Sequence, residues 1–114
     1  MSVDGASFPE LINALPQADI PLSGLSAWLL QAGEKQVLFM EFAEDASVPE
    51  HRHEAQWGVV IDGEIELTIA GEKQVFTKGD SYFIPKGVPH SARIQKGCRD
   101  VTLFDQKDRY KPKG

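Results

Sequence analysis

The chain has 114 residues, 41% of them hydrophobic and 25% charged, with a formal net charge of -5. That length fits one domain with one core. The acidic balance argues against a nucleic-acid partner, which needs a basic stripe for phosphate, and no apolar run approaches the roughly 18–20 residues of a membrane span.

Cys98 is the sole cysteine, so no intrachain disulfide can form. That usage suits a reducing cytoplasm. The first twenty residues hold Asp4, Glu10 and Asp19 and no Lys or Arg. A secretory leader needs a basic start before its apolar run, so none is expected and the location is read as cytoplasmic.

Residues 1–6 are small and polar and are expected to fray. Residues 8–15 predict a short helical turn. Pro9 suits a first helical position, and Leu11, Ile12 and Leu15 share a face. Pro16 and Pro21 end it. From Leu25 the signals are β. Residues 26–31 read as a strand, and Ala32-Gly33-Glu34 as a turn. Residues 36–42 form a mostly apolar strand, with Val37 and Phe39 on one face and Leu38, Met40 and Phe42 on the other. Residues 57–61 precede Asp62-Gly63, a strong hairpin dipeptide. Residues 64–69 alternate strictly, which gives one wet face and one dry face. After the turn at 70–73, strands are predicted at 75–76, 81–84, 90–94 and 100–104. Eight or nine short strands with almost no helix make an all-β barrel or sandwich. No repeat, low-complexity segment or linker interrupts the chain.

The three histidines of the chain are His51, His53 and His90. Residues i and i+2 of a strand point to one side, so His51 and His53 can converge on one ion. His90 closes the string Gly79-Asp80-Ser81-Tyr82-Phe83-Ile84-Pro85-Lys86-Gly87-Val88-Pro89-His90. Gly79 supplies a tight turn, and Asp80 bonds local backbone. Pro85-Lys86-Gly87 makes a second turn, with Gly87 at positive φ.

These residues resemble the cupin family. The second cupin motif, G-x5-P-x-G-x2-H-x3-N, is met at Gly79, Pro85, Gly87 and His90, with Ile94 in place of Asn. The first, G-x5-H-x-H-x3–4-E-x6-G, is met at His51, His53 and Gly63. Asp45 replaces its first Gly and Gln56 its Glu, one residue closer to His53 than usual. The motifs span about 45–63 and 79–94. The resemblance implies one cupin domain over 1–114, a double-stranded β-helix or jelly-roll barrel. It also implies one divalent transition metal on His51, His53 and His90, with Gln56 as a fourth ligand through its amide oxygen. Zinc, nickel, manganese, iron and copper all suit imidazole, so the metal is not named. Glu54 has the wrong offset from Gly63, and Glu50 is expected to face solvent.

A Gln ligand brings no charge, so a divalent ion keeps its full +2. The two-His-one-carboxylate pattern of oxygen-activating iron is absent. The site is tilted toward polarising a carbonyl or holding an anion. A Gln here, the run Val48-Pro49-Glu50-His51-Arg52-His53 and the ending Phe104 with Arg109-Tyr110 are similar to pectin-degradation cupins acting on unsaturated uronates. Those proteins carry an acid where this chain has Thr102. Asp100 and Asp105 are nearby but read as out of parity with Thr102 or at the strand's end.

Trp57, Tyr82, Phe39 and Phe104 are candidates to line the pocket, with Trp28 and Met40 behind them. Arg93, three residues after His90, faces the other way. Glu41 is either outward and solvated or inward and functional, and the pattern leaves both open. Cys98 follows Gly97 in a turn and reads as structural. The tail Lys107, Arg109, Lys111 and Lys113 reads as a solvated end. Trp28, Leu29 and Leu30 make residues 25–30 apolar on both faces, so one face needs a partner and a homodimer is expected.

The function expected is a Lewis-acid enzyme, an isomerase or lyase, on a small sugar-acid-like metabolite. The alternatives are a non-catalytic small-ligand or metal-binding module and a metal-dependent dioxygenase. Fold alone does not choose among them.

Overall fold

A computed structural model describes residues 8–113. Among them are a helical turn α1 (Glu10–Asn13) and nine strands. The strands are β1 (Leu25–Ala32), β2 (Lys35–Phe42), β3 (Ala46–His51), β4 (Gln56–Asp62), β5 (Glu64–Ile69), β6 (Glu72–Thr77), β7 (Ser81–Ile84), β8 (His90–Ile94) and β9 (Arg99–Phe104). They form two antiparallel sheets. One has the order β1-β2-β9-β4-β7 and the other β3-β8-β5-β6. The inner faces meet as a jelly-roll barrel, as the strand pattern predicts. The expected fraying of residues 1–6 lies outside the described residues.

Period-2 alternation decides what each strand buries. In β2, Leu38, Met40 and Phe42 are buried in the core. Val37, Phe39 and Glu41 lie on the outer face. In β5, Ile65 and Leu67 point in. In β4, Gly58 and Val60 are buried while Trp57 is exposed. In β9, Asp100, Thr102 and Phe104 share the inner face.

The helical turn expected within residues 8–15 forms, with its apolar residues turned outward. The helical turn is only four residues long, and Leu11 is 84% exposed, so Leu11, Ile12 and Leu15 form no buried face. A single turn between Pro9 and Pro16 is too short to be stable alone. The anchor is Phe8, whose ring meets Trp28 and Phe39 edge-on at 6.2 and 5.8 Å. Trp28 and Phe39 are Cα partners on the outer face of β1 and β2. Phe8 therefore covers an apolar patch that the sequence assigned to a second subunit. Glu41 is outward, and its Oε2 accepts from the Phe8 N–H at 3.2 Å.

Candidate metal centre

The first motif runs out of β3 through an irregularity. The β3–β8 register shifts between Val48 and His51, and His51 resumes pairing opposite His90. Pro49 has no N–H for the ladder, which fits a bulge at this point. His51 ends β3, and His53 lies in the loop before β4. The strand spacing that paired them in the sequence is thus replaced by a bulge and a turn with the same outcome. The second motif locks that turn. Gly87, at a φ of +76°, donates its N–H to the His53 carbonyl at 2.9 Å. His90 opens β8 between His51 of β3 and Ile69 of β5.

The three rings converge inside the barrel. Their centroids are 4.3 Å apart for His51–His90, 4.7 Å for His53–His90 and 5.1 Å for His51–His53. One nitrogen from each falls within 4.8 Å of the others. In every ring Nδ1 is bonded to a backbone carbonyl: His51 to Pro49 at 2.9 Å, His53 to Glu54 at 2.7 Å, His90 to Val88 at 2.9 Å. A carbonyl only accepts, so each Nδ1 carries the proton and each Nε2 offers a lone pair. The His53 and His90 Nε2 atoms face each other at 3.1 Å. With nitrogen–metal distances of about 2.0–2.1 Å, two ligands at octahedral or tetrahedral angles sit about 2.9–3.4 Å apart. The donor set fits a divalent transition metal. Burial, above all, lowers the pKa of His53 to about 4 and also lowers that of His90, with the Arg109 charge acting in the same direction on both.

The rings stand in the wall of a cavity of about 260 Å³. Gln56 lines it too. Its Nε2 donates to Thr102 Oγ1 at 3.1 Å, and that hydroxyl donates onward to the Trp57 carbonyl at 3.1 Å. This chain fixes the amide orientation and leaves Oε1 as the free end. Glu54 is turned outward, 3.5 Å from Lys86. Glu50 and Arg93 are exposed, as expected.

Of the expected pocket residues, Tyr82 and Phe104 line the cavity, and Phe104 meets the His53 ring at 5.4 Å. Trp57 and Phe39 do not. Gln56 faces in, so its neighbour Trp57 must face out, and it is 43% exposed. Phe39 alternates with Leu38 and Met40 and falls under Phe8.

The sequence reading missed two groups. Asp100 shares parity with Thr102, contrary to expectation, and lines the cavity at 4% exposure. Its Oδ2 accepts from the Tyr82 hydroxyl at 2.7 Å. Burial raises its pKa to about 6. Arg109 is not a solvated tail residue. Its guanidinium lies 4.5 Å over the Tyr110 ring and 5.7 Å over Phe104, and it lines the cavity. The even positions of 100–104 carried the first signal. The second had its signal only in the resemblance carried by Phe104 and Arg109-Tyr110, because the tail's return is a tertiary event. Cys98 is a free, buried thiol, and burial pushes its pKa up to about 12, which makes it inert. No helix among the described residues is long and apolar enough to cross a membrane.

A protein-family model described as cupin domain matches residues 38–104. The chain is 36% identical over 74 residues to quercetin 2,3-dioxygenase of Bacillus subtilis (strain 168), covering 63% of this chain and 22% of that protein. It is 30% identical over 87 residues to H2HPP isomerase of Bacillus subtilis, covering 75% and 36%. The chain thus spans 22–36% of the length of these curated relatives. Among solved structures, an RmlC-like cupin from Shewanella frigidimarina NCIMB 400 superposes with a TM-score of 0.73 and 27% identity over 93% of both chains. KdgF from Halomonas sp. superposes at 0.68 with 21% identity over 80% of this chain and 87% of that one, a likeness of fold.

Proposed function

The chain belongs to the cupin domain family, and on that premise we propose that it is a metal-dependent Lewis-acid enzyme, an isomerase or lyase, acting on a small acid metabolite. The convergence of three Nε2 lone pairs in one cavity, each fixed by a carbonyl behind it, carries the reading. His51, His53 and His90 hold the metal, and Gln56 Oε1 is the fourth protein ligand. When bound, a divalent ion supplies a Lewis acid that polarises a substrate carbonyl.

The protein's own groups do the rest. The Arg109 guanidinium takes the substrate carboxylate in the cavity wall. Thr102 holds the Gln56 amide. The remaining wall is mostly apolar, with Met40, Phe42, Leu67 and Ile84 among its residues. A sugar-acid-like substrate therefore fits with its acid group at the histidine end.

A homodimer is part of the proposal. Leu30, Trp57 and Phe83 are 42%, 43% and 58% exposed. They lie in one cross-sheet row, Leu30–Val37–Leu103–Trp57–Phe83, on the outer face of the five-stranded sheet. A contiguous apolar row of this kind supports a second copy as its cover. The free, buried Cys98 supports a reducing, cytoplasmic location.

The test is metal analysis of the purified protein, then chelation and reloading with manganese, iron, nickel, copper or zinc. Short 2-oxo acids and unsaturated uronates are then followed by NMR in heavy water. Metal-dependent exchange of a C–H beside the carbonyl, or a shifted double bond, is the expected result. Binding without exchange would make the protein a non-catalytic module. Oxygen uptake would make it a dioxygenase.

A further inference from the structure

The inner face of β9 carries three residues in line: Phe104 beside His53, Thr102 bonded to Gln56, and Asp100. Asp100 lies four residues from Phe104, about 13 Å along the strand. It lines the same cavity, and only 4% of its surface is exposed. Its Oδ2 is held by the Tyr82 hydroxyl at 2.7 Å, and its Oδ1 is buried with no partner among the described residues. A buried carboxylate oxygen without a donor is costly.

The arrangement is built rather than incidental. Tyr82 reaches Asp100 by crossing β4 at Gly58, its Cα partner. A Cβ at Gly58 would overlap both the Tyr82 ring and its hydroxyl. Gly58 in mid-strand weakens β4 and serves this one passage. A glycine gap, a buried phenol and a half-satisfied buried carboxylate thus occupy the end of the cavity away from the histidines. Around them the wall is apolar, with Met40, Phe42 and Ile65.

We propose that Asp100, oriented by Tyr82 through the gap at Gly58, is a specificity-determining acceptor that selects ligands carrying a hydrogen-bond donor at the end remote from the metal. The proposal rests on the reading that this cavity holds an acid at its histidine end. The ligand class is a small molecule with an acid head, an apolar body and a hydroxyl or ammonium group at the opposite end. An analogue lacking that donor leaves Oδ1 unpaired and is rejected for that reason.

The test uses the protein as purified with its metal, and two probes of one shape: 3-(4-hydroxyphenyl)propionate and 3-phenylpropionate. Calorimetry should show the hydroxyl probe binding about tenfold more tightly to wild type. In Asp100→Asn the Tyr82 hydroxyl keeps the amide oxygen, so an N–H replaces Oδ1. The preference should then vanish or invert, with metal per chain unchanged. Tyr82→Phe, which deletes the orienting hydroxyl alone, should shrink the preference without inverting it. Equal affinities in wild type, no binding of either probe, or a preference untouched in both variants would overturn the proposal. Wild type without stoichiometric metal would overturn the proposed function instead, and the hydroxyl preference would still judge Asp100.

Discussion

The Nε2 atoms of His53 and His90 face each other at 3.1 Å while the Nδ1 atom of each ring is bonded to a backbone carbonyl. Two lone pairs at that distance repel unless a cation lies between them. Burial disfavours the proton on both rings, so a metal is the better occupant. His51 adds the third nitrogen. The double variant His51→Ala plus His53→Ala should lose stoichiometric metal and keep its β-sheet circular dichroism. Unchanged metal per chain in that variant would move the site elsewhere.

The exposed row of Leu30, Trp57 and Phe83 is continuous through Val37 and Leu103. Light scattering at micromolar concentration should give a dimer mass. Trp57→Glu plus Phe83→Glu puts two charges on that surface and should yield monomers, since buried unpaired charges cost several kcal/mol. Neither residue lines the cavity, so metal content should not change. A wild-type monomer would remove the dimer from the reading.

The fold and the histidines were legible because both are carried by local spacing. Gly79, Pro85, Gly87 and His90 set a turn and a strand start within twelve residues, and alternation fixed the inner face of β2. Parity held at Arg93. At Asp100 it was misread, since residues two apart share a face and Thr102 facing in requires Asp100 in; at Trp57 it was passed over, since Gln56 facing in requires Trp57 out. The passage of Tyr82 over Gly58 joins β7, β4 and β9, and the cover of Trp28 by Phe8 joins the N-terminal segment to β1. Such contacts depend on which strands become neighbours, and no local pattern encodes that.

Asp100 should mark itself in the pH dependence of stability. Its pKa rises from an ordinary 3.8 to about 6 on folding, because burial disfavours the charge. The folded state thus holds the proton more tightly than the unfolded state. Its contribution is most favourable below pH 3.8, falls between 3.8 and about 6, and is constant above. Two units correspond to about 3 kcal/mol at neutral pH. Asp100→Asn cannot ionise, so it should melt higher than wild type at pH 7.5, with the gain closing toward pH 4. A variant less stable at both pH values would show that Asp100 serves the fold. A more stable variant with altered ligand preference would show stability given up for function.

Gln56 separates the competing functions. Its Nε2 donates to Thr102 Oγ1, whose own proton goes to the Trp57 carbonyl. In Gln56→Glu no N–H remains, so the Thr102 hydroxyl must turn from Trp57 toward the new carboxylate or leave two oxygens facing. If Gln56 is a ligand, the added charge should raise metal affinity about tenfold or more, since a carboxylate binds a divalent ion better than an amide does. Lewis acidity should fall as the ion's effective charge drops, so turnover by polarisation should weaken while the metal holds more tightly. A dioxygenase would instead gain activity with iron. Thr102→Val supplies the control. It is near-isosteric, adds no charge and frees the amide to rotate. Outer-shell partners of this kind are worth about 10–100-fold in metal affinity. Thr102→Val should therefore weaken metal binding where Gln56→Glu strengthens it. Opposite signs in the two variants, read by calorimetry against one metal, place Gln56 on the metal, and two flat responses place it off.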